Sequence, residues 1–109
     1  MSQLIMIIDD EVGVREVLAD AFKLAGFETV VAPDAMVALT LLRTIKPDLL
    51  VVDINMPMMD GFEFIERIRS AGDNTPALML SARGDRADIT RGLSLGADDY
   101  VTKPWRGLE

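Results

Sequence analysis

One short stretch decides the fold of this chain: Leu49-Leu50-Val51-Val52-Asp53. A continuous apolar run without polar alternation predicts a strand buried on both faces, as in a parallel sheet. A carboxylate at the end of such a run is costly unless it meets a cation. Asp53 is therefore the first candidate for a functional residue.

Outward from this stretch, the same pattern recurs along the chain. Similar apolar runs lie at residues 4–8 and 77–80, and they end at Asp9 and Ser81. Weaker strand patterns lie at residues 29–32 and 100–102. Four segments with helical spacing separate these five strands. The resulting βαβαβαβαβ order predicts an α/β fold of three layers, a doubly wound parallel five-stranded sheet with right-handed crossovers.

The helical segments have recognisable inner faces and ends. Asp34, Asp60 and Asp85 are suitable N-caps for the second, third and fourth helices. Gly26 predicts the end of the first helix, and Pro47 closes the second. The inner face of the first helix is predicted as Val14, Val17, Leu18, Ala21, Phe22 and Ala25. That of the second is predicted as Ala35, Ala38, Leu39, Leu42 and Ile45.

The composition bounds the class of protein. The chain has 109 residues, 50% of them hydrophobic, which suits a single domain spanning residues 1–109. It contains no cysteine and no histidine, which excludes disulfides, zinc–thiolate sites and Ser–His triads. The net charge of −7 argues against direct binding to nucleic acid or to an anionic membrane. The apolar runs are too short to span a bilayer and no signal-peptide pattern is present, so we expect a cytoplasmic protein.

Acidic residues follow two of the predicted strands. In doubly wound sheets, ligands bind beyond the carboxyl ends of the strands. If the first and third strands are neighbours, Asp9, Asp10 and Asp53 converge in one acidic cup. Carboxylates that lie so close repel one another, and a hard divalent cation relieves this repulsion. Oxygen ligands select Mg²⁺ or Mn²⁺ over softer metals.

This constellation is typical of phosphoryl transfer. A carboxylate such as Asp53 can attack a phosphoryl group and form an acyl phosphate. Lys103, which follows the fifth strand, would neutralise charge on the transferred group together with the metal. Ser81 would donate a hydrogen bond to one phosphoryl oxygen. We therefore predict Asp53, Lys103 and Ser81 as the reactive set.

Four segments carry a resemblance to a known family. They are Ile8-Asp9-Asp10-Glu11, the stretch from Asp53 to Gly61 (Asp-Ile-Asn-Met-Pro-Met-Met-Asp-Gly), Leu80-Ser81-Ala82-Arg83, and the stretch from Gly96 to Pro104. Together and in this order, they make the chain resemble the receiver domains of two-component response regulators over nearly its whole length. The resemblance implies a flavodoxin-like strand order, 2-1-3-4-5.

The resemblance also implies a role for each matching residue. Asp53 matches the phosphorylated aspartate, and Asp9 and Asp10 match the acidic pair that binds metal. Asn55 matches the position that lends its backbone carbonyl to the metal. Ser81 and Tyr100 match the hydroxyl and the aromatic ring that switch on phosphorylation. In this family, phosphorylation changes the packing of the face made by the fourth helix and the fifth strand.

Partners and output follow from the same resemblance. A chain without histidine needs a donor in trans, which the family provides as a sensor histidine kinase or a phosphotransfer protein. Arg91, Asp98 and Asp99 lie where receivers of the winged-helix transcription factor subfamily pair across a homodimer. We expect no enzymatic activity beyond the chain's own Mg²⁺-dependent phosphorylation and dephosphorylation.

The carboxyl terminus departs from the family pattern. Receivers continue after Lys-Pro-aromatic into a fifth helix, whereas this sequence stops at Glu109 after Lys103-Pro104-Trp105-Arg106-Gly107-Leu108. We therefore predict that the usual fifth helix is missing. The sheet face beside the first helix would then be left partly bare, which predicts a homodimer or another form of self-association.

Two other classes of protein remain as alternatives. A small phosphatase of the haloacid-dehalogenase type also places a nucleophilic aspartate after a buried strand, but its second acid is replaced here by Asn55, which cannot protonate a leaving group. A receiver-like interaction module would not phosphorylate. Each feature alone also has a structural explanation: the Asp9–Asp10 pair suits a helix N-terminus, and Tyr100 suits a half-buried core.

Overall fold

The computed structural model describes residues 2–81 and 86–102, and for residues 81, 86–88 and 99–102 it describes the backbone alone. Strands and helices alternate along the chain as the sequence predicts. The bounds are β1 Leu4–Ile8, α1 Val12–Leu24, β2 Glu28–Ala32, α2 Ala35–Leu41, β3 Leu49–Asp53, α3 Gly61–Ser70, β4 Ala77–Ser81, α4 Arg86–Ser94 and β5 Asp99–Thr102. No helix in the described ranges is long and apolar enough to cross a membrane.

All strand pairs of the described sheet are parallel, in the order β2-β1-β3-β4-β5. The inner strand β1 pairs with β2 and β3, so that Met6 lies opposite Val30 on one side and Leu50 on the other. β4 continues the sheet beside β3 and pairs with β5. The predicted flavodoxin-like parallel sheet and its strand order are confirmed. The prediction of a missing fifth helix falls on residues 103–109, outside the described residues.

The sheet has an apolar core on each face. On one face, Leu50 and Val52 of β3 pack with α2 and α3. Phe64 and Ile65 of α3 are completely buried there. On the other face, Val51 packs with α1 through Leu18. Successive β3 residues thus point into different cores, which is why the strand is apolar throughout. This arrangement gives the three predicted layers.

Two of the predicted N-caps are confirmed. The side chain of Asp34 accepts a hydrogen bond from the backbone N–H of Val37, 2.8 Å away, at the start of α2. Asp60 accepts one from Glu63 at 2.9 Å at the start of α3. Each bond satisfies a backbone donor that has no partner within its helix. The third predicted cap, Asp85, lies outside the described residues.

Three details of the helix predictions are wrong. α2 ends at Leu41 and does not continue to Pro47, because Arg43 and Thr44 donate to carbonyls three residues back, at 3.2 and 3.1 Å, and tighten the turn. In α1, Val17 is 52% exposed although the hydrophobic pattern predicts it on the inner face, where it lies on one flank of the stripe that contains the buried Leu18. Ala25, predicted on the same face, is exposed because the helix ends at Leu24 and Ala25 is its C-cap.

A loop between α3 and β4 is fixed by Asp73. Its carboxylate accepts hydrogen bonds from the backbone N–H and the hydroxyl of Thr75, at 2.9 and 2.6 Å. Burial pushes the pKa of Asp73 up, but the Thr75 hydrogen bonds and the positive charges of Arg69 and Lys46 outweigh it. The pKa of Asp73 is therefore lowered from its ordinary value. The ionised form of Asp73 is the one that stabilises the loop.

We expect Asp73→Asn to lower the free energy of unfolding at pH 7 by about 1 kcal/mol or less, since the hydrogen bonds are partly exposed to solvent. The folded pKa lies below the unfolded value of about 3.9, so the stabilisation is present above that value and is lost as pH falls through the folded pKa. Urea unfolding at pH 7 and at pH 3 measures this. The difference in free energy of unfolding between wild type and Asp73→Asn should be smaller at pH 3 than at pH 7. Asp20→Asn, at an exposed position of α1, is the control. An equal difference between wild type and Asp73→Asn at both pH values would contradict the prediction.

Candidate functional site

Three carboxylates lie together at the carboxyl edge of the sheet. β1 and β3 are neighbours with Ile8 opposite Val52, so the residues that follow these partners meet at one edge. Asp9 comes directly after β1, and Asp53 is the last residue of β3. One carboxylate oxygen from each of Asp9, Asp10 and Asp53 lies within 4.8 Å of the other two. The acidic cup that the sequence predicted is thus formed.

Burial distinguishes the members of this acidic cup. Asp9 is completely buried and Asp53 is 2% exposed, whereas Asp10 is exposed to solvent. One oxygen of Asp9 accepts a hydrogen bond from the backbone N–H of Glu11 at 2.9 Å. One oxygen of Asp53 accepts a longer bond from Asn55 at 3.3 Å. Two carboxylates are thus held close together at the base of the site, beneath an exposed third.

The donor set of the acidic cup fits a hard divalent cation. Ionised carboxylates inside a protein repel one another more strongly than in water because the surroundings screen them less. Asp9, Asp10 and Asp53 offer oxygen ligands alone, within a span that one cation can bridge. Mg²⁺ and Mn²⁺ prefer such ligands, and Mg²⁺ keeps several waters when proteins supply only a few oxygens. The residues present therefore fit the predicted magnesium site.

Gly61 allows α3 to begin directly against the end of β3. Its backbone N–H donates to the carbonyl of Ile54 at 2.9 Å. A β-carbon at this position would lie 2.6 Å from the carbonyl oxygen of Asp53 and 2.8 Å from Cα of Ile54. Only glycine fits without displacing the backbone that carries Asp53. The sequence marks this glycine by its place after the N-cap Asp60 and at the end of the segment 53–61 that resembles receiver domains, but not by the close contact itself.

The loop between β3 and α3 also contains a strained residue. Met58 has a φ of 71°, a backbone conformation that residues other than glycine rarely adopt, and it is 94% exposed. Its neighbours Met56 and Met59 are buried and anchor the loop in the core. No sequence signal predicts this conformation, because glycine or asparagine is the usual residue there.

The remaining predicted site residues are placed only in part. Asn55 is exposed in the loop that follows Asp53. Ser81 ends β4 opposite Thr102, and Tyr100 lies in β5 opposite Met79. The backbone thus brings Ser81 to the same carboxyl edge as Asp53. The prediction for Lys103 falls outside the described residues, as do those for Ala82, Arg83 and Pro104.

The sequence also matches known proteins over most of its length. A relative from Cyanophora paradoxa, "Probable transcriptional regulator ycf27", is 43% identical over 96% of this chain and 44% of its own length. Response regulator MprA of Mycobacterium bovis is 40% identical over 96% of this chain and 46% of its own. Regulator of RpoS from Escherichia coli is 43% identical over 95% of this chain and 31% of its own. The chain thus spans less than half the length of these relatives.

Solved structures share the fold and the family model matches the sequence. The receiver domain of Francisella response regulator 1452 superposes with a TM-score of 0.92 at 34% identity, over 95% of this chain and 86% of that one. Vibrio cholerae chemotaxis protein CheY4 gives 0.91 at 29% identity, over 97% and 90%. The sequence model of the response regulator receiver domain matches residues 5–108. With this match added to the strand order and the acidic cup, the chain belongs to the response regulator receiver domain family.

Proposed function

We propose that this chain is a phosphoacceptor switch of a two-component system and that Asp53 is the residue phosphorylated. The observation that carries the proposal is the acidic cup, in which the oxygens of Asp9, Asp10 and Asp53 lie within 4.8 Å. Burying Asp9 and Asp53 side by side is unfavourable for stability, which favours a functional reason for their placement.

The reaction is a phosphoryl transfer from a phosphohistidine. An oxygen of the Asp53 carboxylate attacks phosphorus, the P–N bond breaks, and the histidine ring leaves with the bonding electrons and takes up a proton. The product is an acyl phosphate on Asp53. Since these 109 residues contain no histidine, the donor lies outside them, on a sensor histidine kinase or a phosphotransfer protein. The chain catalyses only its own phosphorylation and dephosphorylation.

The surrounding residues supply charge and hydrogen bonds. The carboxylates of Asp9, Asp10 and Asp53 and the backbone carbonyl of Asn55 would hold Mg²⁺ or Mn²⁺. A cation bound there neutralises charge on the phosphoryl oxygens. We assign Lys103 as a second counter-charge. These assignments rest on the family pattern at the matching positions.

We assign the control of transcription as the output of the switch. A relative 43% identical to this chain is named as a transcriptional regulator. Ser81 would turn toward the phosphoryl group and Tyr100 would follow, which changes the surface of α4 and β5. Pairing of two copies through this surface stays a prediction.

Acetyl phosphate and Mg²⁺ provide a direct test of the acceptor. We expect the chain to gain one phosphoryl mass in intact-mass spectrometry, and Asp53→Asn to gain none because it lacks the nucleophile. Asp20→Asn, an acid-to-amide change at an exposed position of α1, is the matched control and should be phosphorylated like wild type.

Other outcomes would identify the alternative classes. Repeated turnover of phosphomonoesters, without a stable adduct, would indicate a phosphatase of the haloacid-dehalogenase type. Absence of any adduct on folded wild-type protein would indicate an interaction module that no longer phosphorylates. An adduct that persists in Asp53→Asn would place the acceptor elsewhere.

A further inference from the structure

Arg15 makes a contact with the acidic cup that the proposed reaction does not use. It lies one turn into α1, and its side chain is half-buried. The guanidinium Nη1 donates a hydrogen bond to the backbone carbonyl of Asp9, 2.7 Å away. A charged donor at this distance makes one of the stronger hydrogen bonds found in proteins. α1 is thereby tied to the backbone of a residue in the acidic cup.

The contact completes a set of bonds that fixes Asp9. Its backbone N–H donates to the carbonyl of Ala32 in β2 at 3.2 Å. Its side-chain oxygen accepts from Glu11 at 2.9 Å. Its carbonyl lies just beyond β1 and takes the Arg15 bond. The backbone N–H, the carboxylate and the backbone carbonyl of Asp9 are therefore all hydrogen-bonded, to β2, to the turn before α1 and to α1 respectively.

The charge of Arg15 has two opposite consequences for cation binding. A fixed positive charge near Asp9 repels an incoming divalent cation and would weaken its binding. The hydrogen bond, in contrast, holds the turn that carries Asp9 and Asp10 in the geometry that binding needs, and would strengthen it. The sign of the change on removing Arg15 therefore separates an electrostatic role from a positioning role.

We propose that Arg15 is a positioning residue for the acidic cup: it holds the backbone of Asp9 so that the carboxylates of Asp9 and Asp10 bind a divalent cation together with Asp53. This role rests on the proposed function, since it assumes that the cup takes Mg²⁺. Arg15 touches neither the cation nor the phosphoryl group. It acts through the main chain of Asp9.

Calorimetric titration with MgCl₂ tests the role. Arg15→Gln keeps a donor but loses the charge and the reach of the guanidinium, and we expect the Mg²⁺ affinity to fall about tenfold. Arg15→Lys keeps the charge and part of the reach, so we expect an intermediate loss. Lys23→Gln removes one positive charge about two turns further along α1, where Lys23 lines the same groove as Arg15. The Mg²⁺ affinity of Lys23→Gln should stay within about twofold of that of wild type.

Each result bears on the proposal in a definite way. Tighter binding by Arg15→Gln would overturn the positioning role and leave a charge effect. Equal losses of affinity in Arg15→Gln and Lys23→Gln would also overturn it, because the loss would then not depend on the hydrogen bond to Asp9. Urea unfolding in EDTA establishes that each variant is folded at the titration temperature, because a merely structural role would lower stability without changing the affinity of folded protein. If wild type itself binds no Mg²⁺, the metal site of the proposed function fails and this inference fails with it. If wild type binds and Arg15→Gln is unchanged, only the inference fails.

Discussion

Gly61→Ala is expected to destabilise the protein by about 3 kcal/mol, at the upper end of what overpacking a core usually costs. A change of 1 kcal/mol shifts the melting temperature of a domain of this size by about 4–8 °C, so the midpoint should fall by more than about 10 °C. The proposed phosphorylation of Asp53 should slow as well, because the added methyl group displaces the backbone that carries Asp53.

The size of the effect follows from what the new β-carbon would meet. The nearest atoms are the carbonyl oxygen of Asp53 at 2.6 Å and Cα of Ile54 at 2.8 Å. Both belong to the main chain at the end of β3, which pairs with strands on either side. Main chain in the centre of a sheet cannot move without disturbing its hydrogen bonds, whereas the end of a flexible side chain could. Relief of the clash therefore requires α3 to move and displaces the residues of the acidic cup.

Gly13→Ala is the matched control for this substitution. A β-carbon at Gly13, within α1, meets nothing within 4 Å. Alanine is the better helix former by about 0.5–1 kcal/mol, so this variant should be as stable as wild type or more stable. Thermal unfolding followed by circular dichroism compares the two. If Gly61→Ala melts within about 3 °C of wild type, the close approach of α3 to β3 is not as tight as the structure has it.

The strands were predictable because burial on both faces leaves a clear pattern. β1 was predicted at the bounds it has, and β3 and β4 differ from the prediction by one polar residue at the carboxyl end of each, Asp53 and Ser81. Those extra residues still pair in the sheet, which apolar patterning cannot reveal. Strand order came from the family resemblance, since alternation of strands and helices alone is compatible with several orders.

The helix ends and flanks were less predictable. Leu42 and Ile45 are apolar and partly buried, as the pattern requires, yet the chain there is no longer α-helical. Hydrophobic spacing reports which side chains are buried and not which backbone hydrogen bonds they use. Val17 shows the same limit, because a residue at the flank of a stripe can be buried or exposed depending on what packs beside it.

The charges of the acidic cup could be predicted, but side-chain contacts with the main chain elsewhere in the fold could not. Asp9, Asp10 and Asp53 were recognisable since acids at the ends of buried strands are costly. Arg69, in contrast, donates to the carbonyl of Gly96 at 3.0 Å, a contact 27 residues apart that no local pattern encodes. The family resemblance places Asp98 on a surface that pairs in a homodimer, and nothing in the sequence predicts that its carboxylate accepts a hydrogen bond from the backbone N–H of Ala77 at 2.8 Å, at the start of β4.

Asp53→Asn is expected to stabilise the metal-free protein by about 1–2 kcal/mol. Two unit charges within 4.8 Å repel by roughly 3 kcal/mol at an effective dielectric constant near 20, and the favourable contacts that Asp53 also makes offset part of this. Asparagine keeps the size of the side chain and an oxygen that can accept the bond from Asn55. The melting temperature in EDTA should therefore rise.

The response to Mg²⁺ should change in the opposite direction. A ligand that binds only the folded state stabilises it by about 1.4 kcal/mol when its concentration is ten times the dissociation constant. Wild type should gain this stability on adding MgCl₂, while Asp53→Asn should gain little because one ligand has lost its charge. The advantage of the variant in EDTA should thus shrink or vanish in Mg²⁺.

Asp10→Asn separates burial from metal binding in the same experiment. Asp10 is exposed, so solvent already screens its charge, and its neutralisation should stabilise the metal-free protein less than that of Asp53. It should nevertheless weaken the response to Mg²⁺, because Asp10 offers one of the three carboxylates of the acidic cup. A melting temperature of Asp53→Asn below that of wild type in EDTA would show that the buried charges are already compensated within the protein. Repulsion between the carboxylates would then not be what draws a cation to this edge of the sheet.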